Sequence, residues 1–247
     1  MPTSPLDALT DIGFDVQFLS HAEAIFNVDF PIALEELTEV LSVLSIPVAA
    51  LVGSGGGETS MTQGIRRALA AKGWNKHKFE IQKLVDGRQR QSVSHEVDHV
   101  RIFNNGVVAM EIEWNNKDPF YDRDLENFKR LHAEGAISAG VIITRGHSLH
   151  AGMRETILRF AQDHRVTCYE DLHSFGVRPT DRQRQSVERR MRHSGGTFAE
   201  AWSEVFVSDK FGQATTHWSK LADRVHRGVG NPCPLLLIGI PQTAIAH

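Results

Sequence analysis

Apolar residues between His95 and Trp114 fall into two short runs that read as extended chain, one on each side of Asn104-Asn105-Gly106. Asn-Gly tolerates the positive φ of a tight turn, so the segment predicts a hairpin, with strands near Glu96 to Phe103 and near Val107 to Trp114. A turn at Asn105-Gly106 sets Asp98 across from Glu113; a turn at Asn104-Asn105 sets it across from Glu111. Either register leaves Asp98, Glu111 and Glu113 on one face, because alternate residues of a strand share a side.

Elsewhere the repeat is helical. Leu34, Leu37, Val40, Leu41 and Leu44 form a stripe over residues 31 to 44, with Glu35, Glu36 and Glu39 outside it. Ser60 followed by Gln63 has the spacing of a capping box and opens a helix that turns Met61, Ile65 and Leu69 inward and stops at Gly73. Asp122 to His132 predicts a helix burying Leu125, Phe128 and Leu131, ended by Gly135. Phe79 and Ile81 alternate as in a strand, and Ala139 to Thr144 is a continuous apolar run of the kind covered on both faces. Residues 148 to 162 read as helix, 164 to 170 as a further strand, 208 to 233 as a loop passing into a helix, and Leu235 to Ile240 as a last strand between Pro234 and Pro241. Gly53 to Gly57 lacks both the GK[ST] ending of a phosphate loop and the GxGxxG spacing, and reads as a flexible turn. The outcome is α/β: one domain over residues 1–247, with 1–57 an acidic N-terminal helical region on its core.

Three carboxylates on one sheet face repel one another unless something positive sits among them. A divalent cation is the simplest remedy, and hard oxygen donors of this kind suit Mg²⁺, which takes one or two carboxylates and keeps room for water and phosphate. That chemistry points to hydrolysis of phosphodiesters. Glu58 lies at the mouth of the helix that opens at Ser60 and is a candidate supporting acid.

Asp98 followed by Glu111-Ile112-Glu113 at the end of a hairpin resembles the PD-(D/E)xK nuclease core, in the form where an acid or amide replaces the lysine. Asn116, Pro119-Phe120, Gly140 to His147, Pro234 to Ile240 and Ala71 to Trp74 resemble the BglII and BstYI group of type II restriction endonucleases. The resemblance implies a restriction-endonuclease-like core, a central mixed sheet flanked by helices, and Mg²⁺-dependent cleavage of double-stranded DNA at a specific sequence by a homodimer. It implies Asp98, Glu111 and the Ile112 carbonyl as metal ligands, and Glu113 as the group that holds or deprotonates the attacking water. Asn116, Arg145 and His147 match positions near DNA in that group, and Lys117 is placed to neutralise phosphate.

Charge distribution changes the picture more than its total. The net charge of −3 argues against a polyanionic partner, yet the first 65 residues carry nine acids and no Lys or Arg. The rest holds 27 basic residues against 21 acidic ones, a positive body able to grip a polyanion on one side. Eight basic side chains lie between Arg66 and Arg90, and six arginines between Arg178 and Arg192, of which Arg182, Arg189 and Arg192 would share a helical face. RQRQSV occurs at 88–93 and again at 182–187, too short a match for a structural repeat. Cys168 and Cys233 read as reduced core thiols, and with no secretory signal and no long apolar span the chain is expected to be cytoplasmic and off the membrane.

Two rival chemistries follow from the same residues. His95-Glu96-Val97-Asp98-His99 spells HExxH, which needs a helix to bring both histidines to one zinc; on a strand they stand about 13 Å apart. A DNA-binding module without catalysis, or a repair nuclease of the same fold, would also account for acids and basic surface together.

Overall fold

The computed structural model describes residues 5–53 and 60–246. Glu58 and most of the glycine run at 53–57 lie outside them. The chain enters through α1 (Asp7–Asp11), β1 (Asp15–Leu19), α2 (Ala22–Asp29), α3 (Pro31–Ser42), β2 (Ile46–Pro47) and α4 (Val48–Val52). It continues with α5 (Ser60–Ala71), β3 (Asn75–Val85), β4 (Arg88–Phe103), β5 (Gly106–Glu113), α6 (Phe120–Ala133), β6 (Ala139–Arg145) and α7 (His147–Asp163). It closes with α8 (Asp181–Ser194), α9 (Phe198–Phe211), α10 (Trp218–His226), β7 (Leu235–Ile240) and β8 (Ile245–Ala246).

Six strands form one mixed sheet in the order β1-β7-β6-β5-β4-β3, and β2 pairs with β8 separately. The three central strands, β5, β6 and β7, run parallel, while β1, β4 and β3 add to them antiparallel. Every residue of β6 and β7 is buried, as a continuous apolar run requires when helices cover both faces. On one face Val108, Met110, Val141 and Ile143 meet α3, α5, α7 and α9 through Leu37, Leu69, Met153 and Trp202. On the other Ala109, Ile142 and Leu237 meet α6 and α10 through Tyr121, Leu125, Phe128 and Leu221. Helices thus lie on both sides of the sheet, the arrangement of an α/β core.

The predicted helices at 31–44, 60–73, 122–132 and 148–162 form within a few residues of their expected limits, and the hairpin forms with its first strand beginning at Arg88, eight residues before the expected Glu96. Three stretches differ. Residues 164–170 are not a strand: the Asp171 carboxylate accepts hydrogen bonds from the Thr167 and Cys168 N–H groups, which removes the donors a ladder would need and turns the chain into a 3-10 turn at Glu170–Phe175. The N-terminal region is not wholly helical, since Asp15–Leu19 pairs residue by residue with Leu235–Gly239 as an edge strand of the main sheet. Residues 198–211, whose end was expected to be loop from 208, form a helix opened by a full Thr197/Glu200 capping box.

RQRQSV is strand in β4 and helix in α8. Neighbours decide its form: in α8 Thr180 caps the helix and Val187 is buried, whereas in β4 the ladder to β3 supplies the partners.

Close packing between α6 and β6 leaves a specific test. A Cβ at Gly140 would stand 2.5 Å from Phe128 and 3.0 Å from Leu235. Gly140→Ala is expected to lower stability by about 1–3 kcal/mol through overpacking, read as a lower denaturant midpoint at unchanged slope.

Candidate active site

The hairpin turns at Asn104-Asn105, with Phe103 opposite Gly106 and the ladder running to His99 opposite Met110. One further step in that register faces Asp98 toward Glu111. Pairing with β3 slips at the same place: Asn75 pairs with Val100 but His77 with Val97, so two residues of β4, Asp98 and His99, stand opposite Lys76 alone. This bulge at Asp98-His99 bends the strand and re-aims its side chains, as bulges beside active sites do. β4 leaves β5 there, and beyond Met110 the last residues of β5 keep β6 as their ladder partner. The open edge lies at the carboxyl end of the parallel strands, where open α/β sheets place their ligands.

Glu111 and Glu113 project from this end toward α6 and are 8% and 3% exposed. Asp98 stands at the rim, 60% exposed and 3.6 Å from Lys76. A fourth carboxylate joins them that the hydrophobic pattern had not singled out. Asp124 lies on the buried stripe of α6 with Tyr121, Leu125, Phe128 and Leu131, and is itself buried. Its Oδ1 accepts from Arg123 Nε at 2.7 Å, while its Oδ2 has no hydrogen-bond partner. A charged residue on an otherwise apolar stripe was the available signal.

Burial is the largest cause that pushes the Glu111 carboxyl up to about 9, followed by the charges of Asp124, Asp98 and Glu113; the Asp98 backbone N–H opposes them by bonding the ionised form. Glu113 is held well above the ordinary carboxylate range too, first by burial and then by Asp124, whose carboxyl faces its own. Asn116 Nδ2, 2.8 Å from Glu113 Oε2, and Arg123 pull the other way. As they stand, no three His, Cys, Asp or Glu among the described residues are arranged to hold an ion. The donor chemistry nonetheless fits one: buried hard oxygens, an orphaned Asp124 Oδ2 and two acids that burial and neighbouring carboxylates hold above their ordinary range.

The remaining sequence-predicted residues separate. Ile112 lies between the two glutamates on β5, and Asn116 touches Glu113 directly. Lys117 is exposed on the following loop, where it bridges Thr215, and His147 is exposed at the start of α7 with its N–H bonded to Asp15 Oδ2. Arg145 is fully buried: Nε donates to the Trp114 carbonyl, and Nη2 to Thr215 Oγ1 and the Thr216 carbonyl, with Phe211 beside the guanidinium. It faces the interior and ties two loops together. Burial draws its pKa down to about 10, still far above neutrality. His95 and His99 both lie on β4, so the extended spacing keeps them from converging on one zinc.

The family model of restriction endonuclease BglII/BglIII matches residues 14–240. The chain belongs to the BglII/BglIII restriction endonuclease family. Comparison with curated proteins gave no match. In this restriction endonuclease the matched span takes in every strand of the main sheet and the whole carboxylate cluster. A DNA-cleaving hydrolase, with the divalent metal its family generally uses, is consistent with the hard oxygen donors at the end of β5. No helix among the described residues is long and apolar enough to cross a membrane.

The raised acid at 111 ties stability to pH. Unfolded chain releases this proton near 4.5 and folded protein near 9, so between those values the folded state binds more protons and loses stability as pH rises. In chelator, the melting temperature is expected to fall from pH 6 to pH 8, with Glu111 contributing at most about 1.4 kcal/mol per pH unit. Glu111→Gln should flatten that slope and melt higher than the parent at pH 8; an unchanged slope would show that the carboxyl ionises freely.

Proposed function

We propose that this restriction endonuclease is a type II enzyme that hydrolyses both strands of a short, specific site in double-stranded DNA with Mg²⁺, acting as a homodimer. The observation that carries the reading is the gathering of Asp98, Glu111, Glu113 and Asp124 where β4 parts from β5, with too little positive charge among them. Asp98 and Glu111 are the metal ligands, joined by the Ile112 carbonyl on the edge that β4 vacates. When bound, the ion supplies Lewis-acid chemistry, favouring deprotonation of water and offsetting charge on the phosphate. Glu113 holds the attacking water and takes its proton, and the Asn116 amide fixes the carboxylate for that task.

Exposed groups around this end would meet the duplex. Asn116 can pair with a base edge, Lys117 lies on the loop that leaves the site, and His147 marks the end of β6. Arg145 contributes indirectly, by bracing the loops at 114 and 215–216. Lys76, Lys78, Lys83, Arg88 and Arg90 line the exposed β3–β4 ribbon, which suits phosphate contact along the backbone. Cutting both strands of a palindrome calls for a two-fold dimer that presents one carboxylate cluster to each strand.

Digestion of a plasmid of known sequence tests the proposal. With Mg²⁺ or Mn²⁺ discrete fragments with uniform ends are expected, and end sequencing gives the site; Ca²⁺ should support binding with poor cutting. Glu111→Gln should lower the single-turnover rate by at least about 10³-fold while the duplex is still bound in Ca²⁺. Binding without cleavage by the parent would favour a non-catalytic module, and cleavage without sequence preference a repair nuclease.

A further inference from the structure

The carboxylates of β5 raise a difficulty of their own. A phosphodiester is an anion, and hydrolysis gathers more negative charge on it, so acids alone would repel the group they act upon. A cation from the chain is needed beside them, and α6 presents one. Arg123 is 53% exposed although both of its partners are buried, Asp124 at 2.7 Å from Nε and Glu113 at 3.7 Å from Nη2. Its guanidinium lies 4.4 Å from the centre of the Phe120 ring, which is itself 37% exposed at the surface. A guanidinium has five N–H donors, so these two contacts leave donors for a ligand. Lys76, another cation at the rim, is taken up by Glu96 at 2.7 Å and Asp98 at 3.6 Å.

We propose that Arg123 is a catalytic residue that contacts the scissile phosphate, and that Asp124 is the positioning residue that aims it; the inference rests on the hydrolytic reading above. Asp124 is suited to this role because its buried carboxylate cannot reach solvent and grips Nε, while the Phe120 face keeps the guanidinium plane from swinging away. In the reaction the water oxygen bonds to phosphorus and its proton passes to the Glu113 carboxylate. The ester P–O bond breaks with its electron pair on the departing sugar oxygen, which takes a proton from solvent. Arg123 makes and breaks no bond. It donates hydrogen bonds to a non-bridging phosphate oxygen as charge accumulates there.

The test compares the full-length parent with Arg123→Ala, Arg123→Lys and Asp124→Asn in single-turnover cleavage with Mg²⁺, duplex affinity in Ca²⁺, and thermal melting. Arg123→Ala is expected to slow cleavage by about 10²–10³-fold with affinity changed by less than about 3-fold; its melting temperature falls because Asp124 loses its partner, so rates are compared well below it. Added guanidinium ion at millimolar concentration should restore part of the lost rate in Arg123→Ala and none in Asp124→Asn. Arg123→Lys should keep an intermediate rate, since a point charge replaces a planar fork. Asp124→Asn should slow cleavage by about 10-fold without lowering the melting temperature. Cleavage by Arg123→Ala within about 3-fold of the parent, or a loss matched by an equal loss of affinity and insensitive to guanidinium, overturns the assignment. A parent that does not cut under any divalent ion defeats the hydrolytic reading itself, a result distinct from these.

Discussion

Negative charge that cannot be left alone organises this molecule. Glu111 and Glu113 are placed by strand periodicity on a face that α6 covers, so folding itself carries them out of water. An ionised carboxylate buried without a partner costs several kcal/mol, comparable with the net stability of a domain. Arg123 offsets part of this charge and protons are the remedy for the rest, as burial and neighbouring carboxylates hold both acids above their ordinary range. The protein thus holds in reserve a demand for positive charge that an ion and a guanidinium can meet. On the proposed reading, stability and activity would draw on the same site in opposite senses, since what draws cations to the cluster also weakens the fold without them.

The scaffold around the cluster is correspondingly rigid. Tyr121 hydroxyl and Thr144 Oγ1 lie 2.6 Å apart, and Thr144 donates to the Glu113 carbonyl, so α6, β6 and the end of β5 are joined through buried bonds. Arg224 of α10 binds Asp118 and Asp122 across the start of α6 and fixes its entry. Arg145 completes the frame from beneath. A buried guanidinium is tolerable only when its donors are satisfied, and carbonyls of Trp114 and Thr216 do so in a geometry that lysine could not reproduce.

Much of this was legible in the sequence because it rests on local periodicity. Asn-Asn-Gly set the hairpin, alternation placed 111 and 113 together, and the apolar runs at 139–144 and 235–240 became the central parallel strands. What local pattern cannot carry was missed. The bulge at Asp98-His99 depends on how β3 and β5 pull on β4 together, and β1 joins the sheet through a partner more than 200 residues away. Val166 to Glu170 has the composition of a strand, yet one carboxylate at Asp171 redirects its N–H groups. Asp124 was hidden by its own helix, where an acid beside Asp122 and Arg123 looks like solvated surface until the stripe it occupies is buried. Arg145 shows the converse: beside predicted site residues it looked like a reader of bases, and in three dimensions it is enclosed. The two copies of RQRQSV, one extended and one helical, show how little six residues settle.

The β3–β4 ribbon has a consequence of its own. From His77 to Val97 each strand has the other as its ladder partner, and apart from Phe79 and Ile81 little of β3 is covered. A lone pair of strands is marginal in water, so this limb borrows its shape from the base where it joins the sheet. A polyanion laid along it would supply the missing third side and meet the lysines and arginines that both strands expose. Grip and ordering are then a single event, and short ligands that stop before the limb would be held by the body of the enzyme alone.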